Sequence, residues 1–309
     1  MDGVSFEKLV KKAREFAEEK NPHKFAKNIA IAETLATTDD EKRQLYKTEI
    51  IGLRRVNNHE TALEVTEKAE ELFDDVKFKY DVLRNRGIAL GKIGEDAKAV
   101  DIFKEILGSD IQEQILKAHI NLVWIFLRLY VRDGEQIYIK KAEEHCNSIL
   151  DILESHEPDD RVYKVFLTNL GTLYYNQGDY DKALEVFEEQ KEKFNNDKDL
   201  PIIYNNLASI LIEKYEIKSA EEYLHKALFL AEQTHNYQQI GENYMLRAQI
   251  AMTKEDYIQV KDNYVVAYDN FCEANDLAKA CLVYKDIQNI DFKVNNESLD
   301  KLTRKLPSS

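Results

Sequence analysis

The chain has 309 residues, with 57 Asp and Glu against 43 Lys and Arg, a net charge of −14. It holds only 10 Gly and 4 Pro, where average usage would give roughly 37 together; so few breakers disfavour a sheet protein rich in tight turns and favour long helices joined by short polar links. Such an acidic chain is a poor default partner for nucleic acid, because it repels phosphate.

In chain order, the first segment reads as a helix pair, about Ser5 to Lys20 and Lys24 to Thr37, split by Asn21 and Pro22. No basic and apolar leader pattern opens the chain. The basic run from Lys8 to Arg14 is flanked by Glu7 and Glu15, so it reads as a solvated helix face. Next, Ala62, Thr66 and Ala69 mark one face of a helix. Arg86, Gly87, Leu90, Gly94, Ala99 and Phe103 then introduce a pattern that recurs. It returns with extra residues at Leu122, Phe126, Ala142, Cys146 and Ile149, and most clearly from Asn169 to Phe187. There, Leu170-Gly171 is followed by Tyr174, Gly178-Asp179-Tyr180, Ala183 and Phe187. Leu207, Ala208, Leu211, Ala220, Leu224 and Ala227 repeat it, as do Ala248, Ala251, Tyr257, Val260, Tyr264 and Ala267. The chain ends with a helix over Asn275 to Gln288, a turn at Asn295 and Asn296, and a last helix from Ser298 to Lys305. The longest apolar patch, Ile120 to Val131, is interrupted by Asn121 and Arg128, so no membrane-spanning helix is expected.

Each repeating residue has a packing role. Gly171 lets a second helix approach the first, Gly178 ends a helix, and Ala183 and Phe187 share one face at i and i+4. The small residue of each second helix is a ruler: Ala62, Ala99, Ala142, Ala183, Ala220 and Val260, separated by 37, 43, 41, 37 and 40 residues. A helix pair cannot bury its apolar stripe alone, so neighbours must stack. The pattern resembles the tetratricopeptide repeat (TPR) over roughly residues 45 to 290. That resemblance implies an all-α, right-handed superhelical solenoid of antiparallel helix pairs. One domain over 1–309 is expected: a degenerate pair over 1–40, recognisable repeats over 45–272, and capping helices over 275–309. It also implies binding in place of catalysis, with the first helix of each pair lining the concave face.

Just before the Leu-Gly position an asparagine recurs: Asn85, Asn121, Asn169 and Asn206, with Asn205 adjacent, at intervals of 36, 48 and 37. Asparagine is a poor residue inside a helix, so its return asks for a reason. A carboxamide offers both donors and an acceptor, and one per repeat could hold the backbone of an extended peptide. The alternative is structural: such side chains bridge neighbouring helices or bond a carbonyl one turn back. Asn243, 37 residues after Asn206, joins the candidates, as do Trp124, Arg128, Thr172, Asn176 and Ser209 by helical spacing. Arg84, Thr168 and Ile202 lie just before the asparagines, and Arg128 could pair a ligand carboxylate.

The repeat domains also resemble those of bacterial peptide-pheromone receptors of the Rap/PlcR type, especially over Tyr204 to Glu232. That resemblance implies groove asparagines holding a short signalling peptide. Those receptors carry an output module ahead of the repeats, and Met1 to Thr37 is too short for a helix-turn-helix with its linker. The competing reading is a scaffold or self-associating adaptor without a peptide ligand.

Catalytic and metal chemistry find no footing. Gly87, Gly91, Lys92 and Gly94 fall one residue short of a phosphate loop, with Ile93 where Ser or Thr would hold magnesium. No histidine pair has metal-ligand spacing, since His145 and Cys146 are adjacent and point apart on a helix. Three cysteines, Cys146, Cys272 and Cys281, form no disulfide framework and point to the cytoplasm, with Cys272 and Cys281 expected in the core. No cofactor and no enzyme activity are expected, and the partner is a peptide or protein segment, neither nucleic acid nor membrane, with a homo-oligomer as the variant of the scaffold reading.

Overall fold

The structure, a computed structural model, describes residues 5–195 and 198–303, with side chains through Ile290. The described residues form fifteen α-helices and no strand. They are α1 (Phe6–Glu18), α2 (Pro22–Glu33), α3 (Asp39–Arg55), α4 (His59–Leu72), α5 (Val76–Lys92), α6 (Asp96–Leu107), α7 (Gln112–Asp133) and α8 (Gln136–Leu153). They continue as α9 (Asp160–Gln177), α10 (Tyr180–Lys193), α11 (Leu200–Glu213), α12 (Ile217–Gln233), α13 (Tyr237–Thr253), α14 (Tyr257–Glu273) and α15 (Leu277–Thr303). None of the described helices is long and apolar enough to cross a membrane. The fold class is the all-α TPR-like solenoid, built from helix pairs α3–α4 through α13–α14.

The ends of these helices explain how so few glycines suffice. One residue of each tight turn takes a left-handed backbone: Gly94, Gly134 and Gly178, but also Lys20, Asn57, Tyr215, His235, Glu255 and Asn275, at φ between 49° and 60°. At six of these nine turns the next residue then does two jobs, the exceptions being Glu95, Glu135 and Glu216, which make no side-chain cap. Its N–H closes the old helix on the carbonyl five residues back: Asn58 on Leu53 at 2.8 Å, Asp179 on Tyr174 at 2.9 Å, Asn236 on Ala231 at 2.8 Å, Asp256 on Ala251 at 3.1 Å. Its side chain caps the new helix, accepting from the N–H of Thr61, Lys182, Gln239 and Gln259 respectively. At α3, Thr38 and Glu41 form a reciprocal capping box, and those backbone bonds hold the Glu41 carboxyl below its ordinary range.

The chain divides into two compact units, one ending at Asn169 and one beginning at Leu170. In the first, Phe6, Leu9, Val10, Phe25, Ile29, Leu45, Ile50, Leu53, Val65, Phe78 and Val82 form a continuous core over α1 to α5. In the second, smaller clusters follow the repeats: Leu211, Leu224 and Ile250; then Ala248, Val260 and Ile290; then Phe271, Ala280 and Val283. Every ruler residue, Ala62, Ala99, Ala142, Ala183, Ala220 and Val260, is fully buried.

The Leu-Gly position works by contact. A Cβ on Gly87 would lie 2.7 Å from the Phe103 ring, and one on Gly171 would lie 2.6 Å from Phe187. The same knob recurs at Gly52 against Phe25 and Gly241 against Phe271, two contacts not identified from the repeat pattern. Two expectations are corrected. α15 runs without a break through Asn295 and Asn296, because no Gly or Pro interrupts it and Asn costs a helix interior under about 1 kcal/mol. Cys272 and Cys281 are exposed, and only Cys146 is buried, its thiol pushed up to about 12 by desolvation and then Glu143. The second of the two expected terminal helices extends past Thr303, outside the described residues.

Candidate functional site: the layer of first helices

In the first unit α3 packs on α5 and α5 on α7, each passing over an intervening helix; in the second, α11 packs on α13. The first helices therefore form their own layer, and side chains about one repeat apart meet across it.

In the first unit that layer is charged. Asp81 on α5 accepts from Lys47 Nζ on α3 at 2.6 Å and from Gln114 Nε2 on α7 at 3.1 Å. Burial pushes the Asp81 carboxyl up, but these bonds, with the Lys47 and Arg84 charges, outweigh it and hold it below its ordinary value. Arg54 on α3 donates Nη1 to Asn85 Oδ1 on α5, while Asn85 Nδ2 donates to the Asp81 carbonyl at 2.6 Å. Burial, then the like charges of Arg84, Arg161 and Arg55, pulls Arg54 down to about 9. Burial also lowers Arg84, against the pull of Asp81.

On α7, Asn121 is half-buried and donates Nδ2 to the Lys117 carbonyl at 2.6 Å. Trp124 is half-buried, with its ring over Gly91 and between Lys92 Nζ at 5.3 Å and the Arg128 guanidinium at 4.8 Å. Arg128, a candidate partner for a ligand carboxylate, here pairs with Asp96 and with the Gly91 carbonyl, the ion-pair alternative for this residue. Asn169 is buried and donates to the Ile120 carbonyl at 2.8 Å. His119 and His145 face each other with Nδ1 atoms 2.9 Å apart, a pair that sequence spacing does not disclose because its partners lie on different helices. Burial first, then His145, lowers His119 to about 4; burial and then Lys104 lower His145.

In the second unit the layer is a chain of neutral amides. Asn205 on α11 donates Nδ2 to Gln239 Oε1 on α13 at 3.1 Å. Asn243 Nδ2 donates to Asn205 Oδ1 at 3.0 Å and to the Leu224 carbonyl at 2.8 Å, and Asn243 Oδ1 accepts from Arg247 Nε at 2.9 Å. Farther along, the Tyr175 hydroxyl on α9 donates to Glu213 Oε1 on α11 at 3.3 Å, and Gln249 Nε2 on α13 donates to the same oxygen at 2.9 Å. Ser209 is half-buried on α11. Asn176 is half-buried and donates Nδ2 to the Thr172 carbonyl at 2.9 Å; Thr172 and Asn206 are also half-buried.

The asparagines thus split into two sets. Asn85, Asn169, Asn205 and Asn243 are buried, and their amides bond protein partners. The expected row facing an open groove does not describe these four; they bridge helices or bond a carbonyl one turn back, since a buried amide must find a partner. Asn121, Asn176 and Asn206 are the half-buried set. Arg54, Asp81, Gln114, Gln239 and Glu213 complete the two networks and escaped the sequence reading, which searched only the positions around the asparagines. Arg54 and Asp81 stand 31 and four residues before Asn85, a spacing visible only once Asn85 is known to be buried.

Family models described as tetratricopeptide repeat match residues 167–199 and 203–239. This chain carries tetratricopeptide repeats. No curated protein matches the sequence. Among solved structures, the TPR protein is similar to a Rap protein complexed with competence and sporulation factor, at 12% identity and a TM-score of 0.56, covering 96% of this chain and 89% of that one. It is similar to the apo form of the quorum sensor NprR from B. thuringiensis at 14% identity and a TM-score of 0.56, covering 94% and 89%. A tetratricopeptide repeat protein from Parabacteroides merdae matches at 17% identity and a TM-score of 0.50, covering 91% and 100%. At these identities the likeness is one of fold.

Proposed function

We propose that this TPR protein binds an extended peptide or protein segment along its layer of first helices, in the manner of a signalling-peptide receptor. The observation that carries this reading is Asn206. It sits beside the self-bonded Asn205, is half-buried, and makes no side-chain hydrogen bond among the described residues. A half-exposed amide on a binding layer can bond both the C=O and the N–H of a peptide backbone. Asn121, Thr172, Asn176 and Ser209 are half-buried on the same class of helix and extend the proposed contact set. The fold shared with a Rap protein in complex with a signalling factor, and with a quorum sensor, supports the reading. Three free cysteines fit a reducing, cytoplasmic setting.

The test is capture from source-cell lysate by wild type and by Asn176→Ala/Asn206→Ala, with acid-eluted peptides identified by mass spectrometry. Peptides held by wild type and lost from the folded double variant support the reading; identical eluates from both would end it. A second reading, self-association, draws on α14 and α15, where Ile258, Leu277 and Leu282 are 72%, 63% and 60% exposed. Sedimentation equilibrium decides it: a monomer at every concentration removes it.

A further inference from the structure

Two of the three cysteines, Cys272 on α14 and Cys281 on α15, carry exposed thiols. Only Ala274, Asn275 and Asp276 separate these helices, which pack on each other and so run in opposite directions. Their register sets the two cysteines side by side. Phe271 packs with Ala280 and Val283, and Lys279 Nζ lies 5.5 Å from the centre of the Phe271 ring, so Phe271 and Ala280 face each other at one level. Cys272 and Cys281 each stand one residue farther along. One residue turns a helical side chain by about 100°. Because the helices run oppositely, both turns lead to the same flank of the pair. The tyrosines bear this out. Tyr268, three residues before Phe271, and Tyr284, four after Ala280, are turned to that flank too, and their ring centres are 6.0 Å apart. The cysteines lie one turn nearer the short link, where the helices have not diverged. Cys272 first, and Cys281 after it, raise the Tyr268 hydroxyl above its ordinary value, as thiols on its own flank do.

Exposure separates this pair from Cys146, which is buried with its thiol pushed up to about 12. A solvent-accessible thiolate attacks a disulfide, and a second thiolate beside it completes the exchange. The place also matters. The end of a stacked array has a neighbour on one side only and opens at the lowest cost, and Leu277 and Leu282 on α15 are largely exposed. We propose that Cys272 and Cys281 are a redox-active dithiol, which a small-molecule disulfide such as oxidised glutathione converts to a disulfide that staples α15 onto α14. In the first step one cysteine thiolate attacks the oxidant, forming a mixed disulfide and releasing one glutathione thiolate, which takes up the proton that the cysteine lost. In the second, the other cysteine thiolate attacks the protein sulfur of the mixed disulfide and releases the second glutathione in the same way. Two electrons and two protons thus pass from the cysteine pair to one oxidised glutathione, which leaves as two thiols. Under a reducing poise the pair stands open, and it closes as the poise turns oxidising. This goes beyond the peptide reading and does not rest on it, since no ligand takes part.

The experiment uses the full chain, reduced, freed of reductant and equilibrated with mixtures of oxidised and reduced glutathione, then alkylated and weighed by mass spectrometry. In oxidising mixtures wild type should lose two hydrogens and take up two alkyl groups fewer. Trypsin cuts after Lys279, between the two cysteines, so the closed form should yield a pair of peptides joined through Cys272 and Cys281. Cys272→Ser and Cys281→Ser, both at exposed positions, should each stop at the mixed disulfide. Hydrogen exchange over Leu277 to Ile290 should slow about tenfold in oxidised wild type and stay unchanged in either variant treated alike. A wild type that remains fully alkylated, or that carries glutathione on both cysteines without closing, overturns the dithiol. So do chains joined to one another through Cys272 or Cys281, which favour self-association instead, and a disulfide that includes Cys146. Closure without slower exchange in α15 overturns the staple.

Discussion

The two units build the same layer from different chemistry. In the first, Lys47, Asp81, Arg84 and Arg54 span α3 and α5, and two guanidinium Nε atoms are left without partners. In the second, Asn205, Gln239 and Asn243 span α11 and α13 and use one another's donors and acceptors. Neutral amides carry both roles, so a row of them can close on itself. Arginine carries donors only, so a cluster of arginines needs an acceptor from elsewhere. The layer of the first unit thus holds guanidinium donors that its own residues leave unused, whereas the amides of the second close on one another.

Beneath this difference the apolar cores are alike, and the largest expected effect tests that. Phe103→Ala in the first unit and Phe187→Ala in the second each remove a buried ring packed on a glycine, at 0% and 2% exposure. Each should cost about 3–5 kcal/mol in urea denaturation. A loss under about 1 kcal/mol at either site would break the equivalence of the repeats.

The polar layers should then respond differently to salt. Asn243→Ala strands the buried Asn205 and should cost about 1–3 kcal/mol, unchanged by added sodium chloride. Asp81→Asn removes the negative charge that pairs with Lys47, a residue 46% exposed at its side chain, and should cost about 1–2 kcal/mol, less in high salt. Equal salt response of the two variants would erase the contrast between a charged and a neutral layer.

A smaller effect belongs to the first unit alone. The His119–His145 bond needs one Nδ1–H donor and one bare Nδ1 acceptor, so the two rings cannot both be charged while it stands. The unfolded chain binds protons near pH 6.5, whereas folded His119 resists them down to about 4. Between those values the unfolded state holds more protons, so stability is full above the window and lost as the pH falls through it. The loss should be about 1 kcal/mol once partial exposure is allowed for, read as melting temperature against pH. His119→Phe should flatten that slope. The smallest effect concerns the turns: Glu255→Gly relieves a left-handed backbone at φ 55° and should add about 0.5 kcal/mol to thermal stability. A loss instead would mean that the Glu255 side chain has a role beyond the turn.

Helix pairs, repeat spacing, the six ruler residues and the Gly171–Phe187 contact were all legible in the sequence, because each depends on residues within one repeat and on the helical period. The direction of the asparagines was not. Asn205 and Asn206 are neighbours in sequence, yet about 100° of helical rotation separates them, which puts one inside among Gln239 and Asn243 and leaves the other half-exposed. That rotation, and the meeting of Arg54 with Asn85 and of Lys47 with Asp81 across α3 and α5, depends on how each helix pair turns against the next. The partners lie a repeat or more away along the chain, so only the tertiary structure decides which polar side chains complete the interior and which remain half-exposed.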